Sequence, residues 1–148
     1  MKIFIGADHA GFELKEKLVE FLKSLGHDAT DFGAHDFKPD DDYPDYIIPV
    51  ARAVGSDPLS RGIILGGSGQ GEAICANRFN GVRAIVYYGG NEEIIKLSRE
   101  HNDANILSLG ARFLSFEEAK DEVLKWLNTN FSGEERHMRR IGKIENSK

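Results

Sequence analysis

Cysteine is almost absent from this sequence, and long apolar runs are absent altogether. The single cysteine, Cys75, cannot form an internal disulfide, which favours a reducing compartment. No stretch is long and apolar enough to suggest a membrane span, and Met1–Ile5 has the pattern of a strand rather than of a signal peptide. The net charge of −5 argues against a general binder of nucleic acid or of membrane surfaces. We therefore expect a cytoplasmic protein that captures any anionic ligand through a local basic cluster.

The length and patterning of the chain predict a single α/β domain. At 148 residues there is room for one sizeable core but not for two, so residues 1–148 are expected to form one domain. Five short runs of strand character alternate with helical patterns, which is typical of a parallel sheet covered on both faces. We predict a three-layer α/β/α sandwich that ends in a basic, weakly helical tail at about residues 133–148. The predicted strands are Ile3–Gly6, His27–Phe32, Ile63–Leu65, Arg83–Tyr88 and Ile106–Leu107.

Capping signals mark several helix boundaries. Gly26 follows the apolar face of the first helix and predicts its end, and Pro49 is tolerable only near the first turn of the second helix. Asn91 can cap the fourth helix, and Ser115–Glu118 has the pattern of a capping box for the fifth. The third helix is expected over about residues 72–79.

A glycine-rich turn links the third strand to the third helix, and the chain is organised around it. Its glycines allow positive φ angles and close approach of a ligand, and their amides would form an anion-binding nest. Ser68 adds a hydroxyl and Glu72 adds a carboxylate. Amides that hold negative charge and a group that accepts a proton are the parts of a proton-abstraction site. The glycines are Gly66, Gly67, Gly69 and Gly71.

Three other interpretations of this turn compete with a proton-abstraction site. A Walker A loop would end in Gly-Lys-Ser/Thr, which is missing, and a Rossmann fingerprint needs G-x-G-x-x-G where this chain has G-x-G-x-G. A purely structural tight turn stays open as the third. Four glycines within six residues are more than one turn needs, so we favour a ligand-binding loop.

Further candidate residues lie outside the glycine-rich turn. Asp8 and His9 follow the first strand, where open α/β sheets bind ligands, although Asp8 could simply cap the next helix. Tyr43 is either an aromatic at the edge of the core or a lid over a ligand. The acidic loop 33–42 before it is expected to be the most mobile segment.

The basic tail and the lone cysteine each have a structural and a functional interpretation. Arg136 and Arg140 are spaced to share one helix face, either as a phosphate site or as a solvated basic surface. Cys75 lies in an apolar helical context and is expected to pack as a small hydrophobic residue. His35 receives no role, and the role of His137 stays open.

Five clusters in this order resemble the type B ribose-5-phosphate isomerases, a family that includes the galactose-6-phosphate isomerase subunits. The resemblance covers nearly the whole chain. Some members carry a cysteine as catalytic base where this chain has Gly66, so the chain is similar to the other subgroup, in which the glutamate at the position of Glu72 is the base. The clusters are Asp8-His9, Asp42–Pro44, Gly66–Glu72, His101–Asn105 and Arg136 with Arg140.

This resemblance implies a Rossmann-like sheet in the order 2-1-3-5-4 and an aldose–ketose isomerase of sugar phosphates, with ribose 5-phosphate as the expected substrate. It implies that no metal or other cofactor takes part. The expected partner is a second copy of the chain, in a homodimer or a dimer of dimers with shared active sites. In that strand order the ends of the first and third strands would be neighbours at the switch point.

The resemblance also implies a role for each site residue. Glu72 would move a proton from C2 to C1 through a cis-enediolate, while Ser68 relays a proton between the oxygens. His101 would act as acid or base in ring opening. A helix N-terminus favours ionised Glu72 and burial opposes it, which leaves its protonation state open. The phosphate is assigned to His9, Arg112, Arg136 and Arg140, and the other substrate contacts to Asp8, Tyr43, Gly67, Gly69, Gln70, Gly71 and Asn102.

The order of elements separates His101 from the glycine-rich turn. His101 follows the fourth helix, so it should lie at the opposite sheet edge, roughly 17 Å away across one strand. If His101 and Glu72 serve one reaction, His101 must come from a second subunit. Two other functions stay open: the same chemistry on a hexose or tetrose phosphate, and a non-catalytic anion or nucleotide sensor that needs neither residue.

Overall fold

The computed structural model describes residues 1–147, and strands alternate with helices through this range. The strands are β1 (Lys2–Ala7), β2 (Asp28–Asp31), β3 (Arg61–Gly66), β4 (Ala84–Tyr87) and β5 (Ile106–Gly110). The helices are α1 (Phe12–Ser24), α2 (Pro44–Ser56), α3 (Gln70–Ala76), α4 (Glu93–Asn102), α5 (Phe116–Asn128) and α6 (Glu135–Glu145).

All four strand pairs of the sheet are parallel, and the strand order is β2-β1-β3-β5-β4, as predicted. Ala7 pairs with Leu65, and Gly66 pairs with Gly110. The carboxyl ends of β1, β3 and β5 therefore lie level at one edge of the sheet. The chain connects outward in opposite directions from β1 and β3, so this edge contains the switch point of the fold.

Helices cover both faces of the sheet, which confirms the predicted three layers. Leu18 of α1 and Trp126 of α5 belong to the core on one face, together with Ile63 of β3. Val50 of α2 belongs to the core on the other face, together with Ile64. Because neighbouring strand residues point to opposite faces, the central residues of β3 are all apolar.

Three predicted helix signals are present. The Ser115 hydroxyl accepts the backbone N–H of Glu118, whose side chain accepts the Ser115 N–H in return, which completes the capping box of α5. Gly26 follows α1 with a φ of +80°. Asn91 Oδ1 accepts the N–H of Glu93 at 3.0 Å, at the start of α4.

Two predicted helix boundaries are wrong. Pro44 begins α2, as suits a proline at the first helical position, so Pro49 lies in the second turn rather than the first. The carbonyl that loses its usual partner there belongs to Asp45, an exposed residue. Helix α3 covers Gln70–Ala76 instead of 72–79, because Gly69 takes a left-handed conformation immediately before it. The chain leaves α3 through short turns in which the N–H of Arg78 bonds the carbonyl of Cys75.

The predicted basic tail contains α6, which is fixed to the end of the sheet opposite the switch point. Arg83 Nη1 lies 2.9 Å from Glu145 Oε1. The His137 ring stacks on His101 at the end of α4, with ring centroids 4.3 Å apart. No helix among residues 1–147 combines the length and the apolar character needed to cross a membrane.

Candidate active site

A cleft of about 420 Å³ opens at the carboxyl edge of the sheet, where β1 and β3 lie side by side. The loops that follow β1, β3 and β5 and the start of α2 form its walls. Sites at such switch points are the usual ligand sites of open α/β sheets. The lining residues are Asp8, His9, Ala10, Tyr43, Gly67, Ser68, Gly71, Glu72, Arg112 and Phe113.

The carboxylate of Glu72 lies against the backbone of Gly66. A Cβ atom at Gly66 would lie only 2.6 Å from Glu72 Oε2 and closer still to Oε1. A residue with any side chain at position 66 would therefore displace the carboxylate. Glycine at the end of β3 and glutamate in the first turn of α3 are thus one structural unit.

Burial determines the direction in which the pKa of Glu72 shifts, which the sequence alone left open. Glu72 is only 4% exposed. Burial raises the pKa of its carboxyl, and the negative charge of Asp8 adds to the rise, while a backbone hydrogen bond opposes it. The raised pKa makes Glu72 a stronger base than an exposed glutamate.

The glycine-rich turn is shaped by its contact with β5. Gly69 has a φ of +77°, and Ser108 Oγ donates a hydrogen bond of 2.6 Å to its carbonyl oxygen. Ser68, on the other side of the turn, is exposed and lines the cleft. Gln70 borders a separate surface cavity beside Ile74, so its side chain is not among the groups that line the cleft.

Tyr43 and Arg112 close the cleft from two sides. A Cβ atom at Gly71 would lie 2.9 Å from Tyr43 Cζ, and one at Gly67 would lie 3.2 Å from Arg112 Cζ. The absence of side chains at both glycines lets the phenol and the guanidinium approach the turn. Tyr43 also packs partly against the α2 core, so it is both a core-edge aromatic and a wall of the cleft.

Asp8 and His9 are fixed by two different sets of contacts. Asp8 Oδ1 accepts the N–H of Ala10 at 3.0 Å, which orders the turn before α1. His9 Nδ1 lies 2.7 Å from Asp41 Oδ1. Sequence reasoning missed Asp41, because it is one of several acidic residues in loop 33–42 and nothing local distinguishes it from its neighbours.

The ligand atoms of Asp8, His9 and Asp41 all lie within 4.8 Å of one another. This spacing could hold a metal ion in geometric terms. The short contact between Asp41 and His9 already pairs two of the three groups. A hydrogen bond between these side chains accounts for their spacing without an ion.

Four predicted site residues lie away from this cleft. Asn102, at the end of α4, borders a different cavity beside Val82 and Ile144. Helix α4 ends shortly before β5 begins at Ile106, which pairs with Gly62. The cleft lies beyond Gly110, at the other end of β5. His101 stacks on the buried ring of His137 at this far edge. Within one chain the structure therefore does not bring His101, Asn102, Arg136 and Arg140 to Glu72.

Fold and site together define a doubly wound α/β protein with a polar cleft at its switch point. The buried carboxylate and the guanidinium over the glycine-rich turn suit a ligand that is anionic and has an abstractable proton. Residues 3–144 match the family described as Ribose/Galactose Isomerase, and the chain belongs to that family.

Named relatives cover nearly the whole chain. Ribose-5-phosphate isomerase B of Mycobacterium tuberculosis is 43% identical over 95% of this chain and 86% of its own length. Among solved structures, the ribose-5-phosphate isomerase B of Clostridium thermocellum is 46% identical, with a TM-score of 0.93 over 99% of this chain and 97% of that one. The Mycoplasma genitalium enzyme, solved with bound ribulose 5-phosphate, is 37% identical, with a TM-score of 0.93 over 99% and 95%.

Proposed function

We propose that this protein is an isomerase that interconverts ribose 5-phosphate and ribulose 5-phosphate. The observation that carries the proposal is the buried Glu72 carboxylate, which lies against Gly66 in the cleft. The fold around the cleft matches that of the relative solved with bound ribulose 5-phosphate. The single cysteine favours a cytoplasmic location.

Glu72 is the proposed base. It removes the C2 proton of the open-chain sugar, and the same carboxylic acid returns the proton to C1 of the cis-enediolate. The sugar proton is a far weaker acid than a glutamic acid, with its pKa of about 4.3, so the intermediate must be stabilised as it forms. The amides of the glycine-rich turn supply this stabilisation, at about 3 kcal/mol for one such donor. Ser68 passes a proton between the two oxygens.

Arg112 and His9 form the proposed phosphate-binding part of the cleft. A guanidinium fits two phosphate oxygens at once, and both side chains line the cleft beside the glycine-rich turn. In a chain with a net charge of −5, such a local cationic group is what an anionic substrate requires.

A second copy of the chain supplies the remaining proposed groups, in a homodimer with shared sites. His101 would open the sugar ring, Asn102 would contact the sugar, and Arg136 and Arg140 would complete the phosphate site. This proposal is supported by the position of all four residues at the sheet edge opposite Glu72. An isologous dimer gives two identical composite sites.

The reaction moves protons and leaves the overall oxidation state of the sugar unchanged. It therefore has no chemical need for a redox cofactor, and protein groups suffice to transfer the protons. We assign no step to a metal.

A coupled assay on pentose, hexose and tetrose phosphates tests the function. We expect turnover of ribose 5-phosphate to exceed that of the other sugars. Turnover of a hexose phosphate alone would support the isomerase chemistry but contradict ribose 5-phosphate as the substrate. The family description includes galactose, which is the reason for testing this alternative. No turnover of any sugar by a folded protein would contradict the enzyme and favour a non-catalytic anion-binding function.

A further inference from the structure

The acidic loop between β2 and α2 forms the immediate surroundings of His9. Asp41 Oδ1 lies 2.7 Å from His9 Nδ1 and also accepts the backbone N–H of His9 at 3.0 Å. The Phe37 ring meets the imidazole edge-on, with ring centroids 6.5 Å apart. One loop therefore holds both the main chain and the ring of a residue that lines the cleft.

We propose that Asp41 is a positioning residue that fixes the orientation and the tautomer of His9 so that its Nε2 atom faces the ligand phosphate. The assignment of a phosphate to His9 rests on the proposed function. The assignment of the tautomer rests only on the contacts between Asp41 and His9.

The chemistry of a carboxylate determines which ring nitrogen carries the proton. An ionised carboxylate only accepts hydrogen bonds, so the short contact requires the proton of neutral His9 to be on Nδ1. Nε2 is then left for a ligand. When the ring takes up a second proton, Nε2–H can donate to a phosphate oxygen while Asp41 balances the positive charge. Asp8 Oδ2 is 3.8 Å from Nδ1, too far to replace Asp41 in this role.

Asp41 is buried beside His9 and directs its hydrogen bonds to that residue. Its side chain is only 5% exposed. Burial works to raise the pKa of Asp41, but the hydrogen bonds from the amide and ring of His9, with a contribution from the neighbouring Tyr46, outweigh it, and the net shift is downward. The second carboxylate oxygen, Oδ2, is buried and has no hydrogen-bond partner among residues 1–147, so the hydrogen bonds of this carboxylate go to His9. The carboxylate is therefore ionised and directed at His9.

NMR of isotopically labelled histidine nitrogens in the unmodified protein gives the first test. At a pH where His9 is neutral, we expect the proton on Nδ1, opposite to the Nε2–H form that prevails for histidine in water. A proton on Nε2 of neutral His9 overturns the proposal. This measurement needs neither a substitution nor catalytic activity, so it stays decisive even if the protein turns over no sugar phosphate.

The substitution Asp41→Asn, compared with Asp40→Asn, gives the second test. Both remove one negative charge from the same loop, but Asp40 is exposed and has no contact with His9 among those found in residues 1–147. We expect Asp41→Asn to release the Nδ1 tautomer and to weaken binding of inorganic phosphate about tenfold, with a matching rise in KM for ribose 5-phosphate.

The matched variant makes the outcome specific. Asp40→Asn is expected to keep the wild-type tautomer, phosphate affinity and KM. Equal behaviour of the two variants overturns the proposal, because the loop charge rather than the contact would then matter. If Asp41→Asn does not fold, the tautomer of the unmodified protein decides the question.

Discussion

The carboxylate of Glu72 occupies the space that a side chain at position 66 would need. In the proposed function Glu72 is the base at this place in the cleft, although it lies six residues further along the chain than Gly66. Cys75 does not replace it. Burial, and then the charge of Glu72, raise the pKa of the Cys75 thiol, which keeps it protonated and unreactive.

Replacing Glu72 with glutamine should abolish isomerisation while leaving phosphate-ligand binding largely intact. Glutamine has a similar shape but cannot accept the C2 proton, so we expect turnover to fall about a thousandfold or more. Loss of the C2 proton to solvent, followed by NMR, measures the step directly. Cys75→Ser is the control and should keep most of the activity; undiminished proton exchange in Glu72→Gln would remove Glu72 as the base.

The raised pKa of Glu72 sets a pH dependence. Proton abstraction needs the ionised carboxylate, so kcat/KM should rise with pH through a midpoint above the usual glutamate value of about 4.3. The stability of the fold changes with pH in the opposite direction. Because the pKa of Glu72 is higher in the folded protein, the contribution of this group to the free energy of unfolding is present at low pH and is lost as the pH rises through the folded-state pKa. Glu72→Gln should therefore be more stable than the wild type at neutral pH in urea unfolding. A midpoint at or below the usual value would contradict this account.

Gly66→Ala tests the fit of carboxylate to backbone. A methyl group at this position would displace the carboxylate, and a misplacement of about 1 Å costs on the order of a hundredfold in rate. We expect that loss in kcat with the fold retained, as checked by circular dichroism. Gly142→Ala is the matched control, because a Cβ atom there meets no atom within 4 Å apart from the neighbouring backbone of its own helix. An active Gly66→Ala variant would show that the carboxylate can move without consequence.

At the scale of elements, the capping box of α5 matters because this helix carries Trp126, a large buried side chain of the core. Trp126 is fully buried, and its helix begins at the reciprocal Ser115–Glu118 pair. Loss of that start would unravel the turn that aligns the apolar face of the helix.

Ser115→Ala should lower the free energy of unfolding by about 1 kcal/mol, the usual cost of losing an N-cap hydroxyl. Urea unfolding measures it, and the activity of the folded fraction should be unchanged because α5 lies outside the cleft. Ser24→Ala is the control: Ser24 Oγ donates to the Phe21 carbonyl at an exposed helix end, and its loss should cost less than about 0.5 kcal/mol. Equal losses in the free energy of unfolding for the two substitutions would contradict a specific contribution of the N-cap.

At the scale of the whole molecule, the two sheet edges divide the proposed machinery. Glu72, Ser68 and Arg112 lie at the carboxyl edge, whereas His101 lies at the other. The stacking of His137 under His101 gives that far group a defined orientation. A site assembled from two copies would bring the two halves together.

Mixing Glu72→Gln chains with His101→Asn chains tests the composite site. With shared sites, each mixed dimer keeps one intact site, so random pairing should restore roughly a quarter of wild-type activity. The assay uses the two inactive variants alone as controls, and native mass spectrometry verifies that mixed dimers form. Continued inactivity of verified mixed dimers would show that each site lies within a single chain.

Local chemistry was sufficient to predict much of the architecture. The continuous apolar run of β3, the stop at Gly26 and the Ser115–Glu118 box depend on residues close together in the chain, and all three are present. The start of α3 was missed because Gly69, immediately before it, is left-handed and its carbonyl accepts a hydrogen bond from Ser108, which is far away in sequence.

The sequence by itself determined the elements, the strand periodicity and the composition of the glycine-rich turn, because these follow from backbone preferences and from which side chains avoid water. Only the tertiary structure decided the rest. It placed Glu72 against Gly66 and let burial outweigh the backbone hydrogen bond in raising its pKa. It also chose Asp41 from a run of acidic residues as the partner of His9. Dielectric environment and long-range contacts have no local signature, so they arise only when distant segments pack together.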